Sequence, residues 1–242
     1  MKKQKQTIVL QWHLTRNCDQ RCKHCYMYNE NSHQLEKEEL PLKDCFKIID
    51  DLVSTSQKWQ TNSRINFSGG DPLLRKDFFK ILAYAAQFKI DVNIIGNPFH
   101  ITPKIAGKLK KLGVRGYQIS IDGLKAMHDY FRKPGSFDSS IKALNILKEA
   151  GLKTSIMFTL SRVNAKELLN VIDLAAELGV DRFSFNRLVP IGQGKKLTKE
   201  ILRPNEYRQL LLKVLKKYQK WGNKGVKTKF RKKDSLWSLL YI

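Results

Sequence analysis

Short β-branched runs alternate along this chain with longer stretches of helical period. Runs at residues 7–14, 64–67, 90–95, 116–121, 153–159 and 182–185 predict six strands. Apolar residues recurring every three or four positions predict helices at 41–58, 76–88, 102–112, 137–150, 164–178 and 204–221. The third helix is marked at its start by Thr102-Pro103, an N-cap followed by a proline where no amide hydrogen is needed. The fourth and fifth run into Gly151 and Gly179, residues suited to the left-handed conformation that ends a helix.

Six strand-then-helix units in register imply an α/β fold with a parallel sheet and right-handed crossovers. Residues with chemical potential fall repeatedly at the C-terminal ends of the strands, which predicts a sheet curled into a partial barrel. The alternation alone also fits a flat doubly wound sheet. No apolar run reaches the roughly 18–20 residues needed to span a bilayer. The opening 14 residues are basic and then apolar, like an export signal, but the apolar part is short and interrupted by Gln11 and His13. It lacks a small-residue cleavage site, so a first strand and a cytoplasmic location are expected. Residues 1–200 read as one core domain. The lysine-dense remainder, 201–242, reads as a basic helical segment that ends on an apolar stretch, as though the chain once continued.

The hydrophobic share of 42% over 242 residues is ample for one sizeable core. The formal charge of +23, from 45 lysines and arginines against 22 acids, adds an expectation about partners. It favours an anionic one (nucleic acid, an acidic peptide or a phosphorylated compound), with a solvated lysine-rich surface as the alternative.

Four cysteines in a chain of this length make no disulfide scaffold, and three of them crowd into eight positions: Cys18-Asp-Gln-Arg-Cys22-Lys-His-Cys25. In a reducing compartment this points to metal. Three thiolates on one tight loop suit three corners of an iron–sulfur cubane, whose fourth iron is then open to a ligand that is not protein. The other reading is zinc, with His24 or His13 completing a Cys3His set. His24 adjoins Cys25, a poor position for chelating the same ion, and no second clip of ligands follows. Cys45 lies on the apolar face of the first helix with Ile48, Ile49 and Leu52 and reads as an inert buried thiol. His33, His100 and His128 are isolated in sequence, and none is assigned metal.

The C-x3-C-x2-C spacing after an opening strand, with a ring (here His24) before the last cysteine, resembles the signature of the radical SAM superfamily. Phe67-Ser68-Gly69-Gly70-Asp71-Pro72-Leu73 resembles that family's Gly-Gly-Glu-Pro motif. Asp71 replaces the usual glutamate, keeping the charge but shortening the reach. The likeness implies that the backbone at Gly69 and Gly70 approaches the methionine amino group of S-adenosylmethionine, where a Cβ would intrude. Residues 117–123, 128–132 and 135–138 resemble the fourth strand and following loop of the SPASM-type peptide-modifying subgroup. By that likeness Ser120 faces the ribose or methionine, and Arg132 pairs with the methionine carboxylate as a bidentate fork. Asn97 stands near the cofactor in place of a frequent Thr-Asn-Gly. Asn186 ends the sixth strand, where family members shape the adenine pocket. Without the resemblance, Asp122-Gly123 would read as a turn and Arg132 as a surface charge.

The resemblance implies a partial (βα)6 TIM-like barrel holding one 4Fe-4S cluster and S-adenosylmethionine. It also implies an enzyme that cleaves the cofactor reductively to a 5′-deoxyadenosyl radical. A ribosomally made peptide is the expected substrate, and a flavodoxin- or ferredoxin-type protein the expected electron donor, whose acidity would complement the basic surface. SPASM extensions carry seven or more further cysteines, whereas no cysteine follows Cys45, so a truncated or split maturase is expected. Two rivals stand beside it: a radical SAM enzyme acting on nucleic acid or a small metabolite, and a zinc-stabilised basic binding protein without catalysis. The basic residues are spread through helices rather than interleaved with aromatics, which does not favour nucleic acid.

Overall fold

The computed structural model describes residues 5–28, 39–232 and 234–240. Its strands are β1 (Thr7–Thr15), β2 (Asn62–Gly69), β3 (Ile90–Ile95), β4 (Val114–Ser120), β5 (Lys153–Leu160), β6 (Arg182–Arg187) and β7 (Lys229–Phe230). They lie side by side in sequence order, and every neighbouring pair is parallel. Parallel neighbours need a crossover, which here is helical. The helices are α1 (Leu42–Lys58), α2 (Phe78–Ala85), α3 (Pro103–Lys111), α4 (Lys125–Phe131), α5 (Ser136–Glu149), α6 (Leu168–Glu177) and α7 (Pro204–Asn223). β1 and β7 are the two edges, so the sheet forms a partial TIM-like barrel that does not close.

The two faces of the sheet differ in chemistry. In β5, Thr154, Ile156, Phe158 and Leu160 are buried, while Ser155, Met157 and Thr159 between them are less so. The apolar set from each strand, such as Ile65, Phe67, Ile94, Ile119 and Phe183, joins helical residues including Ile49, Phe78, Leu109, Leu144 and Val171 in one core. Each such side chain contributes roughly 1.5–3 kcal/mol on burial. The other face is polar and lines a cavity of about 450 Å³ inside the curl, walled by Gln11, Asn66, Asn93, Gln118, Ser155 and Ser184.

The sequence-predicted caps are present. Thr102 Oγ1 accepts from the Ile105 amide at 3.2 Å, and Gly151 and Gly179 take φ of +71° and +62° after α5 and α6. Helix α2 is shorter than expected. Helix α6 begins only at Leu168, because Asn164 uses its side chain to bind Ser161 and the Asp122 and Thr159 carbonyls. Helix α4 was not foreseen, since seven residues carry too little periodicity to register.

A seventh strand was not foreseen either. It is two residues long, within lysine-rich sequence, and Phe230 packs against Phe183 and stacks 4.6 Å from Tyr218. Tyr207, Leu211, Val214, Tyr218 and Trp237 belong to the same core as the strands, so the basic C-terminal segment is packed into the sheet's outer layer. His33 lies outside the described residues. Among the described residues no helix is long and apolar enough to cross a membrane.

Candidate active site at the C-terminal rim

The cysteine loop follows β1 and is fastened on three sides. The Gly70 amide donates to Thr15 O at 2.8 Å and the Asp71 amide to Asn17 O at 2.7 Å, tying the loop to the end of β2. The Lys23 amide donates to Phe131 O and Gln20 Nε2 to Ser136 Oγ, tying it to α4 and α5. The Gln193 amide donates to Cys25 O, tying it to the 3-10 helix Gly192–Glu200. A Cβ on Gly69 would lie 2.2 Å from Thr15 O, and one on Gly70 would lie 2.0 Å from Asn17 O. The glycine pair is thus required by backbone packing against the cysteine loop. The likeness had given the reason as the approach of a ligand.

Cys18, Cys22 and Cys25 are partly exposed on this loop, whereas Cys45 is buried in α1. Burial pushes the Cys22 thiol up to about 12 against the opposing pull of Arg132, and burial also raises Cys18. A metal must therefore displace protons to bind these sulfurs. Among the described residues, the metal-capable group whose ligand atoms all lie within 4.8 Å of one another is Asp19, Asp71 and His100, not the three cysteines. Thiolates sharing a single zinc at about 2.3 Å would have to crowd closer than that.

Next to Cys18 stands a second group of polar atoms. Asn97 Nδ2 donates to Cys18 Sγ at 3.2 Å and to Asp19 Oδ1 at 2.5 Å, and its own carbonyl accepts from Tyr117 Oη. His100 is not isolated, since its Nε2 lies 3.1 Å from Asp19 Oδ2. Asp71 is fully buried; its Oδ1 accepts from the Leu73 amide, while its Oδ2 has no partner. Burial pushes its carboxyl up to about 7, with the Leu73 amide pulling it down and Asp19 adding to the rise. An orphaned buried carboxylate oxygen beside the cysteines is a ready acceptor for a cationic donor such as an ammonium.

Arg132 stands on the other side of the loop. Its Nε donates to Asp122 Oδ2 at 2.7 Å, and its Nη1 to Gln20 Oε1 at 3.0 Å and Cys22 Sγ at 3.6 Å. Burial would raise the Asp122 carboxyl, yet Arg132 holds it below the usual carboxylate range. The guanidinium is engaged by the chain itself and touches a cysteine sulfur, a different placement from the carboxylate fork the likeness implied.

His24 Nε2 lies 3.5 Å from Asp122 Oδ2, its Nδ1 is buried without a partner, and burial lowers it to about 4. His128 is lowered to about 4 by burial as well. Its Nδ1 accepts from the Asp122 amide, which puts the ring proton on Nε2, facing Ser136 Oγ at 3.0 Å. Ser120 and Asn186 sit at the ends of β4 and β6, two residues beyond the cavity-lining Gln118 and Ser184 and on the same face.

The structure therefore gathers His24, Gly69, Gly70, Asp71, Asn97 and Arg132 around the three cysteines and leaves Ser120 and Asn186 on the cavity rim. Sequence reading missed Asp19, Gln20, Asp122, His128 and Ser136. Asp19 and Gln20 stood inside the motif as spacers. The partners of Asp122 come from α4, β5 and the cysteine loop, and no local pattern marks such a carboxylate.

The profile of the Radical SAM superfamily matches residues 12–175. Fe-coproporphyrin III synthase of Methanosarcina barkeri is 33% identical over 225 residues, covering 92% of this chain and 54% of the relative. Mycofactocin maturase MftC of Mycolicibacterium smegmatis is 34% identical over 189 residues, covering 77% and 46%. The crystal structure of Streptococcus suis SuiB bound to precursor peptide SuiA superposes with a TM-score of 0.73 at 19% identity. It covers 93% of this chain and 48% of SuiB. The chain thus spans about half the length of the curated relatives it matches. With the cysteine loop, the glycine pair and the parallel sheet in place, this chain belongs to the radical SAM superfamily.

Proposed function

We propose that this chain is the catalytic domain of a radical SAM enzyme that modifies a ribosomally made peptide. Cys18, Cys22 and Cys25 hold one 4Fe-4S cluster, and S-adenosylmethionine binds beside it against Asp71, Ser120 and Asn186. When bound, the two groups supply a 5′-deoxyadenosyl radical able to abstract a hydrogen from an unreactive position. The chain's own residues orient and shield. Asp71 Oδ2 accepts the ligand's ammonium, and the Asp122–Arg132 pair fixes Gln20 and the Cys22 loop. His24 and Phe131, with ring centroids 5.1 Å apart, close the loop's inner side against water. An electron donor of flavodoxin or ferredoxin type docks on the cysteine side, where Lys23, Lys133 and Arg21 present positive charge.

The observation that carries the reading is the orphaned Asp71 oxygen beside three thiols on a pinned loop. The peptide substrate is supported by the likeness to MftC and to a SuiB structure holding a precursor peptide. A porphyrin substrate is the second reading, favoured by the Fe-coproporphyrin III synthase likeness and by the basic residues in the barrel cavity.

Anaerobically reconstituted protein, reduced in the presence of S-adenosylmethionine, is expected to release 5′-deoxyadenosine. A full cluster that yields none overturns the catalytic reading. A short precursor peptide encoded beside this gene, modified in the same assay, supports the first substrate; turnover of an iron coproporphyrin instead supports the second.

A further inference from the structure

The cavity inside the sheet has two ends of different character. Toward the cysteines its wall is neutral. Asn93 Nδ2 donates to Asn66 Oδ1, Asn66 Nδ2 to Gln11 Oε1, and Gln11 Nε2 to Ser68 Oγ beside the glycine pair. At the other end, where the strands begin, Arg64, Arg115, Lys153, Arg182 and Arg231 line the same space. These residues come from β2, β4, β5, β6 and the residue after β7, so the charges are spread around the curl instead of along one loop.

Among the described residues, Asp91 is the carboxylate that forms ion pairs at this end. Asp91 Oδ2 lies 3.1 Å from Arg64 Nη2 and 2.5 Å from Arg115 Nη1. Among the described residues no carboxylate forms an ion pair with Lys153, Arg182 or Arg231. The nearby Asp181 turns its Oδ2 to the Thr154 amide. Burial and then the charges of Arg231, Arg115 and Arg64 pull Arg182 below the usual arginine range, outweighing the opposing charge of Asp181. The Arg64 Nε is buried without a partner. Mutual repulsion among guanidinium groups in a concave, partly desolvated space raises the energy of the empty protein, and an anion relieves it.

We propose that the strand-start end of this cavity is a binding site for a ligand bearing two or more carboxylates. Planar guanidinium forks match carboxylates in bidentate geometry, and forks on separate strands suit separate carboxylates better than one compact anion. The volume of about 450 Å³ falls in the range of small-molecule sites. The ligand's carboxylates anchor at the basic end, so its far end points along the neutral wall toward Ser68 and the cysteine loop. The site rests on the proposed function only in the claim that its ligand is the substrate.

The test is calorimetric titration of the full, cluster-loaded chain at low salt with tricarballylate, butyrate, a triglutamate peptide and inorganic pyrophosphate. Tricarballylate or triglutamate is expected to bind at least about tenfold tighter than butyrate, equivalent to roughly 1.4 kcal/mol. Whichever of the two binds tighter assigns the carboxylates to a small molecule or to peptide side chains. Arg182→Gln and Arg231→Gln are each expected to weaken that binding about tenfold. Asp91→Asn, which removes the competing carboxylate, is expected to strengthen it, an outcome that a folding defect does not mimic.

Equal affinity for butyrate, tight binding of pyrophosphate alone, or indifference to all three substitutions overturns the proposal. 5′-Deoxyadenosine is measured in the same preparation. Protein that cleaves S-adenosylmethionine but binds no polycarboxylate sinks this inference and leaves the proposed function standing; the reverse result sinks the proposed function and leaves the site.

Discussion

The missing side chain of Gly70 faces the carbonyl of Asn17: a Cβ there would lie 2.0 Å from that oxygen. The contact locks the end of β2 against the loop that carries the three cysteines. Gly70→Ala must move one backbone or the other, an overpacking cost of at least about 2 kcal/mol. Reduced iron content and a lower melting temperature are expected together. Gly107→Ala is the control, since Gly107 lies inside α3 with nothing within 4 Å of its Cβ position. That substitution is expected to stabilise by about 0.5–1 kcal/mol and leave iron unchanged. Equal behaviour of the two variants in a thermal melt would refute the locking role.

Arg132 and Asp122 form an ion pair in which the carboxylate is wholly buried. Truncating one member strands the other's charge, which costs about 3–5 kcal/mol, whereas removing both leaves no stranded charge. Arg132→Met is therefore expected to unfold at much lower denaturant, and Asp122→Asn/Arg132→Met to recover a substantial part of the loss. Because Arg132 Nη1 also lies 3.6 Å from Cys22 Sγ, the single variant is expected to shift the cluster's midpoint potential downward. A double-mutant cycle in urea, read beside a potentiometric titration, separates the two effects.

Alanine at Cys18, Cys22 or Cys25 is expected to abolish retention of iron and sulfide after anaerobic purification. Cys45 is fully buried in α1, where its sulfur donates to the Leu40 carbonyl at 3.8 Å and neighbours Arg75, away from the cysteine loop. Cys45→Ala is expected to cost about 1 kcal/mol of packing and to keep the full iron content. Iron loss from the Cys45 variant, or one bound zinc in place of iron in the parent, would remove the cluster from the site.

The alternation of runs and periods located all six longer strands and six of the seven helices, because hydrophobic spacing reports which face of an element is buried. The short α4 and the two-residue β7 lie below the length at which spacing carries information. The cysteine loop and the residues at Gly69–Asp71 were legible as chemistry, since the residue types and their spacing are themselves the requirement. Asp122 was legible only as a turn: its importance lies in Arg132, Thr159 and His24, which the fold brings from three separate segments. The basic residues of the cavity were equally hidden, scattered over residues 64–232 until the curl of the sheet brings them to one space.

Asp71 gives the site a pH dependence of known sign. Its folded-state carboxyl is raised from 3.8 to about 7, chiefly by burial, so the fold prefers the protonated form. The resulting stability is fully present below about pH 4 and is lost as pH rises through about 7. Asp71→Asn keeps an acceptor for the Leu73 amide and carries no charge at any pH. In the metal-free chain the variant and the parent are therefore expected to unfold alike near pH 3. Above pH 8 the variant is expected to be the more stable, by on the order of 4 kcal/mol, because each tenfold change in proton affinity is worth about 1.4 kcal/mol. A cationic ligand seated on Asp71 Oδ2 stabilises the ionised form, so saturating S-adenosylmethionine is expected to narrow that gap for the parent alone. Urea midpoints at four pH values, with and without the ligand, check both statements. A gap that stays constant with pH would show that Asp71 is ionised throughout and already paired.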